Sequence, residues 1–427
     1  MAAAFVAGSA VCALLLVRAQ HAAPPAPPPL SSSEPPALLK TSPPPAQSPP
    51  PLEGIDLARV TLDDDGAVAP AASHRVAHLT LDVELQRAAN RVLAAHHLPE
   101  AAVVLVDVAS GRVLAYASHV EHGAARDLCA EATAPAASVF KIVTSAALVE
   151  AGVSPDVREC YSGGEQKILE RDLEDDPARD RWCTTLAGAL GHSTNAVFAK
   201  LALRDLDPSK LEASAARFGF GEPVPFDVAV APSTLHVPTD DLGFARTAAG
   251  FWNSTLSPVE AAWMSATVAR GGDAPRLSIV TDVLDAKGAA VWTAPAPSID
   301  HHAMSREVAA SLTRMMEVTV AEGTSYRAFH DARGGAFLPG ITVAGKTGTL
   351  TDAPQERFYT WFTGFAPSRA PAVAVAVLVV NKPTWKVKAN VVAREMLREY
   401  FAREHTPRAT KGTSAPRLES SAVARRE

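Results

Sequence analysis

The 427-residue sequence has no excess of positive charge: 40 Lys and Arg stand against 46 Asp and Glu, for a formal net charge of −6. A nucleic-acid partner needs a basic face to neutralise phosphates, so that class is set aside. Cysteines number only four. The paired histidines His96-His97 and His301-His302 lack Cys or carboxylate partners at metal-ligand spacing, so no metal site and no cofactor is expected. No apolar run reaches the about 20 residues that cross a bilayer comfortably. No internal repeat of solenoid or propeller period is found.

The longest apolar run is Met1 to Val17, closed by Arg18. It resembles a signal-peptide core or a short signal anchor, although no Lys or Arg precedes it to set the orientation. Residues 1–22 are read as a retained anchor in preference to a cleaved leader, because the pattern Val17-Arg18-Ala19 is a weak cleavage site. Residues 23–75 carry blocks such as Pro27-Pro28-Pro29 and Pro43-Pro44-Pro45, and are expected to be a disordered linker. Such a stretch cannot build a core; from Ala23 to Leu52 it can act as an extended spacer of up to about 90 Å at about 3.1 Å per residue. Residues 403–427 are polar and aperiodic, a disordered tail. The composition, 47% hydrophobic and 20% charged, suits one large folded domain over residues 76–402.

Within that body, Ala77 to Asp82 alternates like a short strand and Val83 to Ala95 has helical spacing. Ala101 to Val108 and Val113 to Ala117 read as strands joined at Ser110-Gly111. The middle, Val139 to Val268, reads as mostly helical, with clear segments at Ile142 to Val149 and Ala196 to Leu206. Ile341 to Lys346, Tyr359 to Phe365 and Ala372 to Val380 read as neighbouring antiparallel strands. The acidic run Glu170 to Asp180 reads as a solvated loop. Cys160 and Cys183 bracket that loop; bonded they would add about 3 kcal/mol by loop closure, and unbonded they are two unrelated buried thiols. Cys129 has no neighbour that marks a reactive thiolate.

Three short motifs can carry chemistry. Ser138-Val139-Phe140-Lys141 is an S-x-x-K, a pattern expected roughly once by chance in a chain this long. Pro135-Ala136-Ala137 before it and an apolar run after it place Ser138 in the first turn of a helix, with Lys141 one turn on and on the same face. A serine hydroxyl needs a base within hydrogen-bond reach to become a nucleophile, and a lysine serves only if burial keeps it neutral. The bland reading is a capping Ser138 with a solvated Lys141. Ser193-Thr194-Asn195 follows 55 residues after Ser138 and is, by itself, an ordinary helix cap. Converging on the first pair, it would supply a proton relay and an orienting amide. Lys346-Thr347-Gly348-Thr349 lies 153 residues beyond Ser193. K-T-G has a chance expectation of about a tenth at this length. A strand ending in a cation, a hydroxyl and a glycine can pair with an extended peptide and hold its carboxylate.

Read together, S-x-x-K, then S-x-N, then K-T-G resembles the penicillin-binding protein and serine β-lactamase superfamily. Leu79-Thr80-Leu81-Asp82, Phe218-Gly219-Phe220-Gly221, Leu256-Ser257-Pro258 and Trp361-Phe362-Thr363-Gly364 look like further transpeptidase-domain landmarks. The resemblance implies an α/β (α+β) fold: a five-stranded antiparallel sheet flanked by helices, with a helical subdomain. It implies that Ser138 is the acylated nucleophile, Lys141 its base, Ser193 the proton relay and Asn195 the amide-positioning group. Lys346, Thr347, Gly348 and Thr349 would bind substrate, with the Ser138 and Thr349 N–H groups as oxyanion hole. The implied activity is a monofunctional D,D-transpeptidase cross-linking peptidoglycan stem peptides. β-Lactams would acylate it, the N-terminal segment would hold it to the cytoplasmic membrane facing outward, and cell-wall synthesis proteins would be its partners. Two positions depart from the family pattern: Ala137 where Gly is common, and Val139 where Thr is usual.

A D,D-carboxypeptidase would share every motif. A β-lactamase needs an added water-activating base, and no E-x-x-L-N pattern follows Asn195, where the chain reads Ala231-Pro232-Ser233-Thr234. A non-catalytic β-lactam or muropeptide sensor, or a cell-wall scaffold, is the alternative of another class; the intact motifs count against it.

Overall fold

The computed structural model describes residues 50–64, 66–382 and 387–404. The anchor expected at residues 1–22, most of the Pro-rich stretch and almost all of the tail lie outside them. No helix among the described residues is long and apolar enough to cross a membrane.

The centre is a five-stranded sheet of β1 (Glu100–Asp107), β2 (Val113–Val120), β3 (Ala344–Asp352), β4 (Arg357–Ala366) and β5 (Val373–Asn381), in the spatial order β3-β4-β5-β1-β2. Every neighbouring pair is antiparallel. In β1 all residues from Ala101 to Val106 are buried, because both sheet faces are covered. The strand's period of two divides them: Ala102, Val104 and Val106 enter one core, Ala101, Val103 and Leu105 the other. Residues of β5 divide the same way, so the near-continuous Ala/Val run of this strand is what a doubly covered sheet requires.

One face is covered by α1 (Val83–Ala95), whose first turn is capped by Asp82, and by the C-terminal helix near Ala389–Glu404. The helical part follows β2 in the chain: α2 (Lys141–Glu150), α3 (Leu186–His192), α4 (Asn195–Asp205), α5 (Pro208–Arg217) and α6 (Asp241–Ala248). Next, α7 (Pro258–Ala269) packs on the second sheet face, and α8 (Arg306–Ala321) lies between α3 and β3. A short α9 (Tyr326–Phe329) and then α10 (Ala389–Glu404) are the last helices among the described residues.

The expected strands and helices are present with shifted ends, and three expectations need correction. The stretch assigned to the disordered linker, residues 23–75, contains strands at Thr61–Leu62 and Ala67–Ala71. These pair into a second sheet with Arg75–Leu79, Val280–Leu284 and Ala290–Thr293. Ala67 and Ala69 are buried in alternation, a pattern that small side chains among prolines conceal in the sequence. The acidic run from Glu170 to Asp180 is not wholly solvated: Asp172 is buried, and Asp180 lies 2.5 Å from the Nζ of buried Lys200. The strand expected over Ile341 to Lys346 starts at Ala344 and runs on to Asp352, so the K-T-G motif lies inside it. Between α2 and α3 a hairpin of Arg158–Tyr161 with Trp182–Thr185 sets Cys160 opposite Cys183, and the two form a disulfide. Cys129 is a buried free thiol.

Candidate active site

The chain enters the site through a bridge of Ala134–Pro135 with Thr255–Leu256, and Ala136 N–H donates to the Ser254 carbonyl at 3.1 Å. It then turns sharply at Ala137, whose φ of 50° is left-handed. That conformation costs a residue with a Cβ about 1–2 kcal/mol, which explains why glycine is common at this place in the resembling proteins. A short 3-10 turn, Ala137–Phe140, carries Ser138 and feeds directly into α2. Lys141 therefore follows one turn after Ser138. Gly250, with φ of 82°, lets a second segment press on this turn: a Cβ there would lie 2.4 Å from the Ala137 carbonyl oxygen.

Lys141 is fully buried, and its Nζ meets three oxygens: Ser138 Oγ at 2.9 Å, Asn195 Oδ1 at 2.6 Å and the Ala249 carbonyl at 2.6 Å. Asn195 donates its Nδ2 to the Glu165 carbonyl at 2.7 Å, which turns its Oδ1 toward the lysine. Asn195 Oδ1 and Ala249 O can only accept. A neutral amine has two N–H groups for these two acceptors, and its lone pair is left facing the Ser138 hydroxyl, which then donates. Burial first, and then the nearby Lys346 charge, push Lys141 well below its ordinary 10.5. The geometry and the direction of this shift agree: a neutral Lys141 can take a proton from Ser138.

The second and third motifs meet each other. Ser193 closes α3 in a left-handed conformation (φ 61°) just before α4 begins at Asn195. Lys346 Nζ donates to Ser193 Oγ at 3.0 Å and to the Thr347 carbonyl at 2.8 Å. Burial alone pushes Lys346 down from 10.5 to about 7. β3 is an edge strand, and its alternation buries Lys346, Gly348 and Leu350 while Thr347, Thr349 and Thr351 line the cleft. Gly348 is where β3 rests on the Ser138 turn: a Cβ would approach Ala136 O and Ala137 Cβ to 3.3 Å. The glycine thus serves contact between strand and turn, beyond the approach of a substrate backbone expected for it.

The cleft has two halves that share Ser138, Glu165, Asn195 and Thr349. The smaller, about 320 Å³, extends past Ser193 and Thr347 to Thr324, Lys388 and Asn390. The larger, about 970 Å³, extends to Arg246, Phe251 and the half-exposed Trp252.

A family model described as the penicillin binding protein transpeptidase domain matches residues 101–399. The chain belongs to that family. The curated peptidoglycan D,D-transpeptidase PbpA of Mycolicibacterium smegmatis is 30% identical over 259 residues, which are 58% of this chain and 50% of that protein. The chain spans about half the length of these curated relatives. Its fold is similar to the crystal structure of PBPA from Mycobacterium tuberculosis, with a TM-score of 0.63 at 23% identity over 76% of this chain and 82% of that one. The penicillin G acyl-enzyme complex of penicillin-binding protein A from the same organism gives a TM-score of 0.62 at 23% identity, over 76% of this chain and 80% of that one.

Of the motif residues, Ser138, Ser193, Asn195, Thr347, Gly348 and Thr349 line one cleft, and the buried Lys141 and Lys346 reach it through hydrogen bonds to Ser138, Asn195 and Ser193. Sequence reasoning did not single out the Ala249 and Glu165 carbonyls, which fix the orientation of Lys141 and Asn195, because backbone acceptors have no residue signature. It also missed Thr324, whose Oγ1 lies 2.6 Å from Thr347 Oγ1.

Proposed function

We propose that this protein is a peptidoglycan D,D-transpeptidase working through an acyl-enzyme on Ser138. The contact of 2.9 Å between Ser138 Oγ and a buried Lys141 with its two N–H groups already engaged carries the reading. The substrate stem peptide lies extended along the open edge of β3, its terminal carboxylate against Lys346, Thr347 and Thr349. Ser138 passes its proton to Lys141 and attacks the penultimate D-alanine carbonyl. The N–H groups of Ser138 and Thr349 stabilise the oxyanion. The C–N bond breaks as Ser193 hands its proton to the departing amine and regains one from Lys141, and terminal D-alanine leaves. An amine of a neighbouring stem peptide then takes the acyl group and Ser138 regains its proton; water in the amine's place gives carboxypeptidase action. β-Lactams enter at the first step, as penicillin G does in the similar penicillin-binding protein A. The relatives' role in cell-wall synthesis supports a place in the cell envelope, with the residue 1–22 segment as membrane anchor and cell-wall synthesis proteins as partners.

The test is intact-mass spectrometry of the full chain with benzylpenicillin, wild type beside Ser138→Ala. A one-to-one adduct stable over hours and missing in the variant is expected. Rapid release of hydrolysed drug would indicate a β-lactamase, and no adduct would overturn the reading.

A further inference from the structure

Among the described residues, Glu165 is the only carboxylate that lines either half of the cleft, and it lines both, as Ser138 does. Its backbone carbonyl is engaged by Asn195, yet its side chain is exposed and has no hydrogen-bond or ion-pair partner among the described residues. The loop that holds it is well anchored. Gly163 and Gly164 both have positive φ, near 73° and 74°, and a Cβ on Gly164 would come within 2.8 Å of the Ala196 Cβ, so the loop lies directly on the start of α4. Ile168 is buried and its carbonyl accepts from Arg246 at 3.0 Å and 2.7 Å. The disulfide of Cys160 with Cys183 closes the segment. The cleft also holds cations, Lys388 in one half and Lys167 and Arg246 in the other, and Arg246 is engaged by the Ile168 carbonyl.

We infer that Glu165 recognises and deprotonates the acceptor amine of the transfer step. The inference rests on the transpeptidase reading. The donor peptide presents an anion, which belongs with Lys346; the acceptor presents an alkylammonium, and Glu165 is the group in the cleft of opposite charge. An ammonium cannot attack. Glu165 takes one proton from nitrogen; the freed lone pair forms the new C–N bond to the acyl carbonyl, the ester C–O bond to Ser138 breaks, and the second nitrogen proton returns to Ser138 Oγ. The proton on Glu165 then passes to solvent. Water carries no charge and gains less from the carboxylate, so Glu165 favours transfer over hydrolysis.

The full chain is acylated with an N-acylated D-alanyl thioester and offered either Nα-acetyl-lysine, an alkylammonium, or hydroxylamine, whose nitrogen is uncharged at neutral pH. For Glu165→Gln, transfer to Nα-acetyl-lysine falls at least about tenfold while transfer to hydroxylamine stays within about twofold, and Glu165→Asp recovers part of the loss. Equal loss for both amines would show that the side chain only supports Asn195, and loss of hydrolysis alone would make it a base for water; either overturns the inference. A wild-type chain that is never acylated brings down the transpeptidase reading as well, which separates the two failures.

Discussion

Lys141 and Lys346 are both fully buried, and the cost of charging them sets different working ranges for the two. Lys141 must be neutral to accept a proton, and its lowered affinity for protons extends the neutral form downward in pH. Lys346 must be charged to hold a carboxylate, and in the free enzyme it loses its proton as pH rises through about 7. The second-order acylation rate constant, which reports the free enzyme, should therefore decline for benzylpenicillin above about pH 7. A penicillin ester without the carboxylate should show no such decline, and identical profiles for the two would remove Lys346 from carboxylate binding. The spacing of Ser138 and Lys141 was legible in the sequence because one helical turn brings them together. The lone-pair direction was not, since it depends on the carbonyl of Ala249, 108 residues away along the chain.

At the level of elements, β3 and the Ser138 turn form one unit through Gly348. Adding a methyl there would place a Cβ 3.2 Å from Trp361 Cβ and 3.3 Å from Ala136 O, and the latter is backbone that cannot swing aside. Gly348→Ala should slow acylation at least about tenfold by shifting Ser138 against Lys141. Far-ultraviolet circular dichroism should stay unchanged, and stopped-flow acylation kinetics provide the check; a rate within twofold of wild type would mean the contact is slack. The sequence marks K-T-G as a strand end because Gly and Lys are poor strand formers. Pairing decides otherwise: β4 opposes every position from Ala344, across from Phe365, to Asp352, across from Arg357. The pairing of Cys160 with Cys183 was one reading of the sequence, but the hairpin that carries it was hidden, as was the burial of Asp180 against Lys200.

Across the whole molecule, one buried acid records how the layers are joined. Glu260 lies in the first turn of α7, at the second face of the sheet; neither carboxylate oxygen has a partner in hydrogen-bonding geometry among the described residues. Burial raises it from 4.5 to about 8, with Ser233 offsetting part of the rise. The folded chain keeps a proton that the unfolded chain sheds, so this contribution to stability is present below pH 4.5 and is lost progressively as pH rises to about 8. Urea unfolding of wild type and Glu260→Gln should show their difference moving by about 2–3 kcal/mol in favour of the variant between pH 5 and pH 7. Parallel curves would place the ionised carboxylate in solvent. At this scale the fold class was legible from the order of the motifs, while the sheet order was not, because hydrophobic alternation identifies strands without naming neighbours. That order has a consequence for biosynthesis. β1 pairs at once with β2 but finds its second partner in β5, some 270 residues later along the chain, by their register from Asp107 opposite Val373 to Glu100 opposite Val380. A chain delivered from its N-terminus presents Ser138 long before the strand it must rest against. An interrupted product ending before β3 therefore carries Ser138 without Lys346 and without the strand that rests on its turn.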